Sequence, residues 1–339
     1  MRVKKIISND YLHGSARARV LRNNILSIEE LRKMTGAHDF QQAFRILNSA
    51  GIGAGVKPED YETVLNRELT KAYDIVREVT NGLELFDIFR YGYDGINIKL
   101  ALKSAEAGFD PLQFMTGLGT VPAEALIDGI NKGGVPELPT EMEQAAEEAK
   151  AELALTGDAQ KADIIVDKAT VASMYRVVHE YDNDLFKKYV RSKIDMDNIR
   201  SLVRIRRMGK SAELLESTLF PGGYISTKKI AGAFSGGMPE IAALIKNSRY
   251  GTALESASES AFDGPDTDRS RLMTLEKLCD NYLLTFIGES GRFVFGVEPI
   301  LGYILEKENE IRMARMIMAS KAADPSGNTS YERLRAYAW

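Results

Sequence analysis

Cysteine, tryptophan and histidine are scarce in this chain: of 339 residues, one is Cys, one is Trp and three are His. A lone Cys279 cannot close an intramolecular disulfide, and it suits a reducing compartment. His13, His38 and His179 stand far apart with no Cys or His at ligand spacing, so no metal centre is expected. No run approaches the roughly 18 apolar residues of a membrane-spanning helix, and the apolar part of the opening MRVKKII is too short for a secretion signal. Any membrane role is therefore expected to run through a partner. An excess of positive charge is missing too. A net charge of -4 and a pI of about 5.7 argue against a protein whose main task is to hold nucleic acid. Strand-like alternation is almost absent, which makes the expected fold class all-α.

The usual catalytic patterns are also missing. The glycine-rich GIGAGV at Gly51–Val56 has Val where a dinucleotide fingerprint needs its third glycine, and a helical pattern precedes it. Gly209-Lys210-Ser211 resembles the end of a phosphate loop, but Arg204 occupies the place of the earlier glycine. There is no G-x-S-x-G, and Cys279 lies in an apolar helical pattern. Glu306 and Glu308 are two residues apart on a helix and face apart. No catalytic residue and no cofactor are expected, and nothing requires an enzyme.

Helices account for what is present. Ser27 followed by Glu30 forms a capping box before an apolar-periodic run, and Asp39 opens a second short helix. Longer helical stretches are expected over Pro58–Tyr91, Ala162–Val190 and Leu272–Ile287, with a brief β-like run near Gly288–Val297. The acidic, alanine-rich stretch Glu141–Leu155 reads as a solvated helix face, with an acidic docking surface as the alternative. Gly251–Asp268 reads as a surface loop.

One stretch recurs. Ile194–Gly209 reads IDMDNIRSLVRIRRMG, and Tyr93–Gly108 reads YDGINIKLALKSAEAG. Asp94, Asn97, Ile98 and Lys99 match Asp195, Asn198, Ile199 and Arg200. A looser third copy spans Glu306–Ala323; there Glu310, Ile311 and Arg312 keep the end of the pattern, while Lys307 and Glu310 replace the Asp and the Asn. The copies lie about 100 residues apart, the size of a small domain. This divides the chain into helical repeats at 1–107, 108–209 and 210–323, with a tail at 324–339. Asp94 and Asp195 suit an N-cap or first-turn acid. Lys99, Arg200 and Arg312 flank the apolar stripe. They either pair with acids of neighbouring helices or face a shared partner. Arg200, Arg204 and Arg207 give one helix a basic face. Arg17 and Arg19, near the start, are either a solvated basic helix start or an anchor for an acidic partner surface.

Three segments in order carry a family resemblance: Y-x4-A-R-A-R-V at Tyr11–Val20, LFKKYVRSKIDMDNIR at Leu185–Arg200, and GVEPILGYILEKENEIR at Gly296–Arg312. With them the chain resembles the C subunits of archaeal and bacterial A-type/V-type ATPases, the counterparts of the d subunit in eukaryotic vacuolar ATPases. The resemblance covers nearly the whole chain. It implies three similar helical domains in a pseudo-threefold, funnel-like arrangement. It also implies a non-catalytic rotor component at the cytoplasmic face of the membrane, linking central-stalk subunits to the membrane rotor ring. Such a component passes torque for ATP-coupled proton or sodium transport, with no nucleic acid and no membrane span of its own. The alternative reading is a helical-repeat scaffold unrelated to rotary ATPases.

Overall fold

The computed structural model describes residues 3–255 and 268–323. The tail at 324–339 and most of the expected Gly251–Asp268 loop lie outside the described residues. The structure is 74% helical with no strands among the described residues; an isolated bridge joins Lys4 and Tyr181. In chain order the helices are α1 (Leu12–Arg22), α2 (Ile28–Thr35), α3 (Phe40–Ser49), α4 (Tyr61–Val79), α5 (Tyr91–Ala107), α6 (Ala123–Lys132) and α7 (Thr140–Thr156). They continue with α8 (Ala159–Glu180), α9 (Asp184–Arg207), α10 (Ala212–Thr218), α11 (Thr227–Gly236), α12 (Met238–Lys246), α13 (Asp268–Ser290) and α14 (Glu298–Ala323). None of them is long and apolar enough to cross a membrane.

Packing divides the chain into two compact units: residues 1–6 with 84–275, and residues 7–83 with 276–339. In the first, α7 and α8 form a tight antiparallel pair. Gly157, at φ 67, ends α7, and the Asp158 carboxylate opens α8 by accepting from the Gln160 and Lys161 amides. Ala145, Ala146 and Ala149 are buried, so the alanine-rich helix presents its small residues to the core and its glutamates outward. In the second unit, α14 is buried along most of its length and packs on α1, α2, α3 and α4.

Two expected long helices are broken. The Pro58–Tyr91 stretch stops being α-helical at Val79, where Asn81 and Gly82 turn left-handed at φ 51 and 70; a 3-10 turn, Glu84–Phe89, follows before α5. The Ala162–Val190 stretch breaks after Glu180. There Lys4 pairs with the open backbone: its N–H donates to the Glu180 carbonyl at 2.6 Å, and its carbonyl accepts from Asp182 N–H at 2.9 Å. The expected β-like run forms no strand. Phe293–Phe295 is an exposed loop, and α13 runs on to Ser290.

Candidate functional site

The recurrent motif is a clamp between one helix and the loop that follows it. On α5, Asp94 accepts from the Thr120 amide (2.9 Å), the Thr120 hydroxyl (2.7 Å) and the Val121 amide (3.2 Å). Asn97 accepts from the Thr116 amide at 3.0 Å and donates to the Thr116 carbonyl at 2.8 Å. Arg90 donates to the carbonyls of Leu118 and Gly119. On α9, Asp195 accepts from the Tyr224 amide (2.7 Å), the Ile225 amide (3.1 Å) and the Tyr250 hydroxyl (2.5 Å). Asn198 grips Phe220 through both backbone groups, and Arg191 donates to the carbonyls of Gly222 and Gly223. The loops correspond residue for residue, Thr116–Val121 with Phe220–Ile225. Each has a glycine, Gly119 or Gly223, where a Cβ would lie 2.2 or 2.0 Å from the aspartate oxygen. Burial raises both aspartate pKa values, against the lowering effect of the bonds they accept.

Asp94 does lie in the first turn of α5, but Asp195 lies deep inside α9, and neither carboxylate caps its own helix. A buried carboxylate needs donors, and the interior of a helix offers it none, so the following loop supplies them.

A third clamp joins the two ends of the second unit. The Leu26 amide, which just precedes the Ser27 cap of α2, donates to Glu310 at 2.7 Å. Val121 and Ile225 hold the same place before their helices. Glu310 therefore does the work of Asp94 and Asp195, one helical turn away from the register that matches it with Asn198. Arg315, five residues on, then takes the place of Lys99. It donates to Glu62 of α4 at 2.8 Å, as Lys99 does to Asp167 of α8 at 2.7 Å. Glu306 falls where Arg90 and Arg191 stand, with the charge reversed, and its partner is Arg22 of the loop side, with Nε donating at 2.7 Å. Burial pushes Glu306 up to about 7 despite Arg22. Burial likewise raises Glu310, opposed by Lys307 at 2.5 Å and by the Leu26 amide.

The remaining expected residues divide by partner. Arg17 pairs with Glu78 at 2.7 Å, and Arg19 donates to the Phe293 carbonyl at 2.6 Å. Arg200 pairs with Asp197 of its own helix at 3.1 Å, and the half-exposed Arg312 lies 3.8 Å from Asp280. Arg204 is exposed and Arg207 half-buried in the last turn of α9. Arg90 and Arg191 escaped the sequence reading, which met Glu306 only as a carboxylate facing away from Glu308. The first two carry a legible signal, since each stands four residues before its aspartate.

Beside the clamps, the first unit holds an open groove of about 1190 Å³. Its apolar lining is Ile164, Ile165, Ala169, Ala172 and Tyr175 of α8 together with Leu214 and Leu219. Glu141, Glu148, Glu152, Asp158 and Glu213 line it against Lys161 and Lys168, so the lining is net acidic. Small side chains among the lining, Ala145, Ala169 and Ala172, leave space for a helix.

Comparison with known proteins agrees over most of the chain. A family model described as "ATP synthase (C/AC39) subunit" matches residues 15–330. Similar proteins include the C subunit of the A-type ATP synthase of Methanocaldococcus jannaschii, 22% identical over 92% of this chain and 82% of that protein. The C subunit of the A-type ATP synthase of Thermococcus gammatolerans is 24% identical over 94% and 83%. The C subunit of the V-type sodium ATPase of Enterococcus hirae is 22% identical over 82% of each.

Proposed function

The chain belongs to the ATP synthase (C/AC39) subunit family, and from that membership we propose that it is the non-catalytic central-rotor coupling subunit of a rotary A/V-type ATPase. In this reading it is peripheral, at the cytoplasmic face of the membrane. It links central-stalk subunits to the membrane rotor ring and passes torque for ATP-coupled proton or sodium transport. Its three repeats, divided near 107, 209 and 323, each contribute one clamped motif helix.

The observation that supports the reading is the groove along α8, with its net acidic charge and apolar lining. A cavity of that size, with small residues in its lining, suits a stalk helix carrying basic residues better than it suits a reacting small molecule. Torque transfer also needs a stiff body, and the buried clamps fix helix to loop through charge-assisted bonds.

The test is coupling. Membrane vesicles carrying the ATPase without this chain should hydrolyse ATP with ion transport lost. Ion transport fully coupled to hydrolysis in its absence would overturn the proposal.

A further inference from the structure

One apolar surface in the second unit lies outside the clamps and the groove. Leu12, Ala16 and Val20 recur every fourth residue along α1, and all three are exposed. They form a ridge on one side of the helix. The opposite side, Gly14, Ser15 and Ala18, is buried; a Cβ at Gly14 would already sit 3.0 Å from Ile300 of α14 and from the Val79 carbonyl of α4. The loop between α13 and α14 lies along the edge of this ridge. The Ser15 hydroxyl donates to the Gly296 carbonyl at 2.8 Å and accepts from its amide at 3.0 Å. Arg19 holds the Phe293 carbonyl. Gly296, at φ 119, makes the turn that a side chain would strain. The loop backbone is thus fastened to α1 while Phe293, Val294 and Phe295 stay in solvent. Val20 is 64% and Val294 69% exposed. Fixing three apolar side chains outward gives up the burial that would stabilise them, which is the mark of an interaction surface.

We propose that the α1 ridge and the Phe293–Phe295 loop form a docking site for an amphipathic helix of another subunit, apolar on one face with acidic residues along its flank. This rests on the ATPase reading, since it takes the occupant from that complex. Two features select a helix of this kind. A ridge at four-residue spacing with small Ala16 at its centre is a surface into which a facing helix packs. Arg19 and the exposed Arg292 stand at the same edge and present positive charge to the occupant. A lipid surface fits less well, because the exposed side of α1 offers only Leu12, Ala16 and Val20, far short of the broad apolar face that interfacial helices bury.

A photo-crosslinking residue placed at Val20 or at Phe293 tests this in the assembled ATPase purified from membranes, with Leu155 of the first unit as the control position. Both patch positions should link to one helical segment bearing acidic residues in another subunit, and Leu155 should not. Links to lipid alone, no links, or the same segment reached from Leu155 would overturn the docking site. A second measurement uses the Val20→Ser/Val294→Ser pair and, separately, Arg292→Glu. Each should lower retention of the chain in salt-washed complex about tenfold while its thermal unfolding stays unchanged, because these side chains are exposed. Undiminished retention overturns the proposal. Failure of the unaltered chain to co-purify with the ATPase would instead defeat the functional reading on which the site rests.

Discussion

Asp195 shows what the motif aspartates do. Three donors converge on it, two of them backbone amides of the loop that follows α9. Removing the carboxylate leaves those donors buried and unmatched, and such groups cost about 1–3 kcal/mol each. Asp195→Ala is expected to lower unfolding stability by about 3 kcal/mol in urea titration. Gly223→Ala is expected to do comparable damage without touching the carboxylate, because a Cβ 2.0 Å from Asp195 Oδ1 must push the loop away. A near-neutral Gly223→Ala would mean that the close approach is unimportant. The sequence announced that Asp195 and Asn198 matter by repeating them. It did not announce their partners, because the loop that binds them begins about 20 residues away, and the repeated letters carry no pairing.

At the scale of the element, helix starts were legible, as was Gly82 as a bend in the Pro58–Tyr91 stretch, but the break after Glu180 was not. Ser27 and Glu30 form the full capping box read from their spacing, and Asp39 caps α3 through the Gln42 amide. Ser226 caps α11 in the same way through Lys229. These signals are local, and local signals survive folding. Ser27→Ala and Ser226→Ala are each expected to cost about 1 kcal/mol, the usual worth of a cap, read as a lowered thermal midpoint; no shift in either would assign the helix starts to tertiary packing instead. The break after Glu180 was invisible because what fixes it is Lys4, from the far end of the first unit. Its backbone pairs across the gap, and its ammonium lies 3.0 Å from Glu180. Burial pushes the Glu180 pKa up, but the bonds from Lys4 and Arg176 outweigh it and hold the carboxylate below its ordinary value.

Across the whole molecule, the clamp is spelled alike in two places and differently in the third, for a physical reason. The first two clamps close on the loop that follows in sequence; the third closes on the chain's own beginning, Arg22 and Leu26 meeting Glu306 and Glu310. Its arginine has crossed from the helix to the loop side and its aspartate has become a glutamate, so the copy keeps its geometry while losing its letters. This clasp should respond to pH. Glu306 is held at about 7, above the ordinary 4.5, so the folded state binds the proton more tightly than the unfolded one. The resulting stabilisation is full below pH 4.5 and is lost as pH rises towards 7. Between those limits the unaltered chain is expected to lose up to about 3 kcal/mol more than Glu306→Gln, which has no proton to lose; parallel pH profiles in urea titration would reject the assignment. Arg22→Ala should act in the same place by leaving Glu306, 1% exposed, without its donor, and its cost should grow as pH rises above 7, where the carboxyl must ionise unpaired. Hydrogen exchange should then quicken in α1, α2 and α14 while α5 and α9, whose clamps close within the first unit, keep their protection. Uniform quickening of all five helices would show instead that the clasp governs the entire chain.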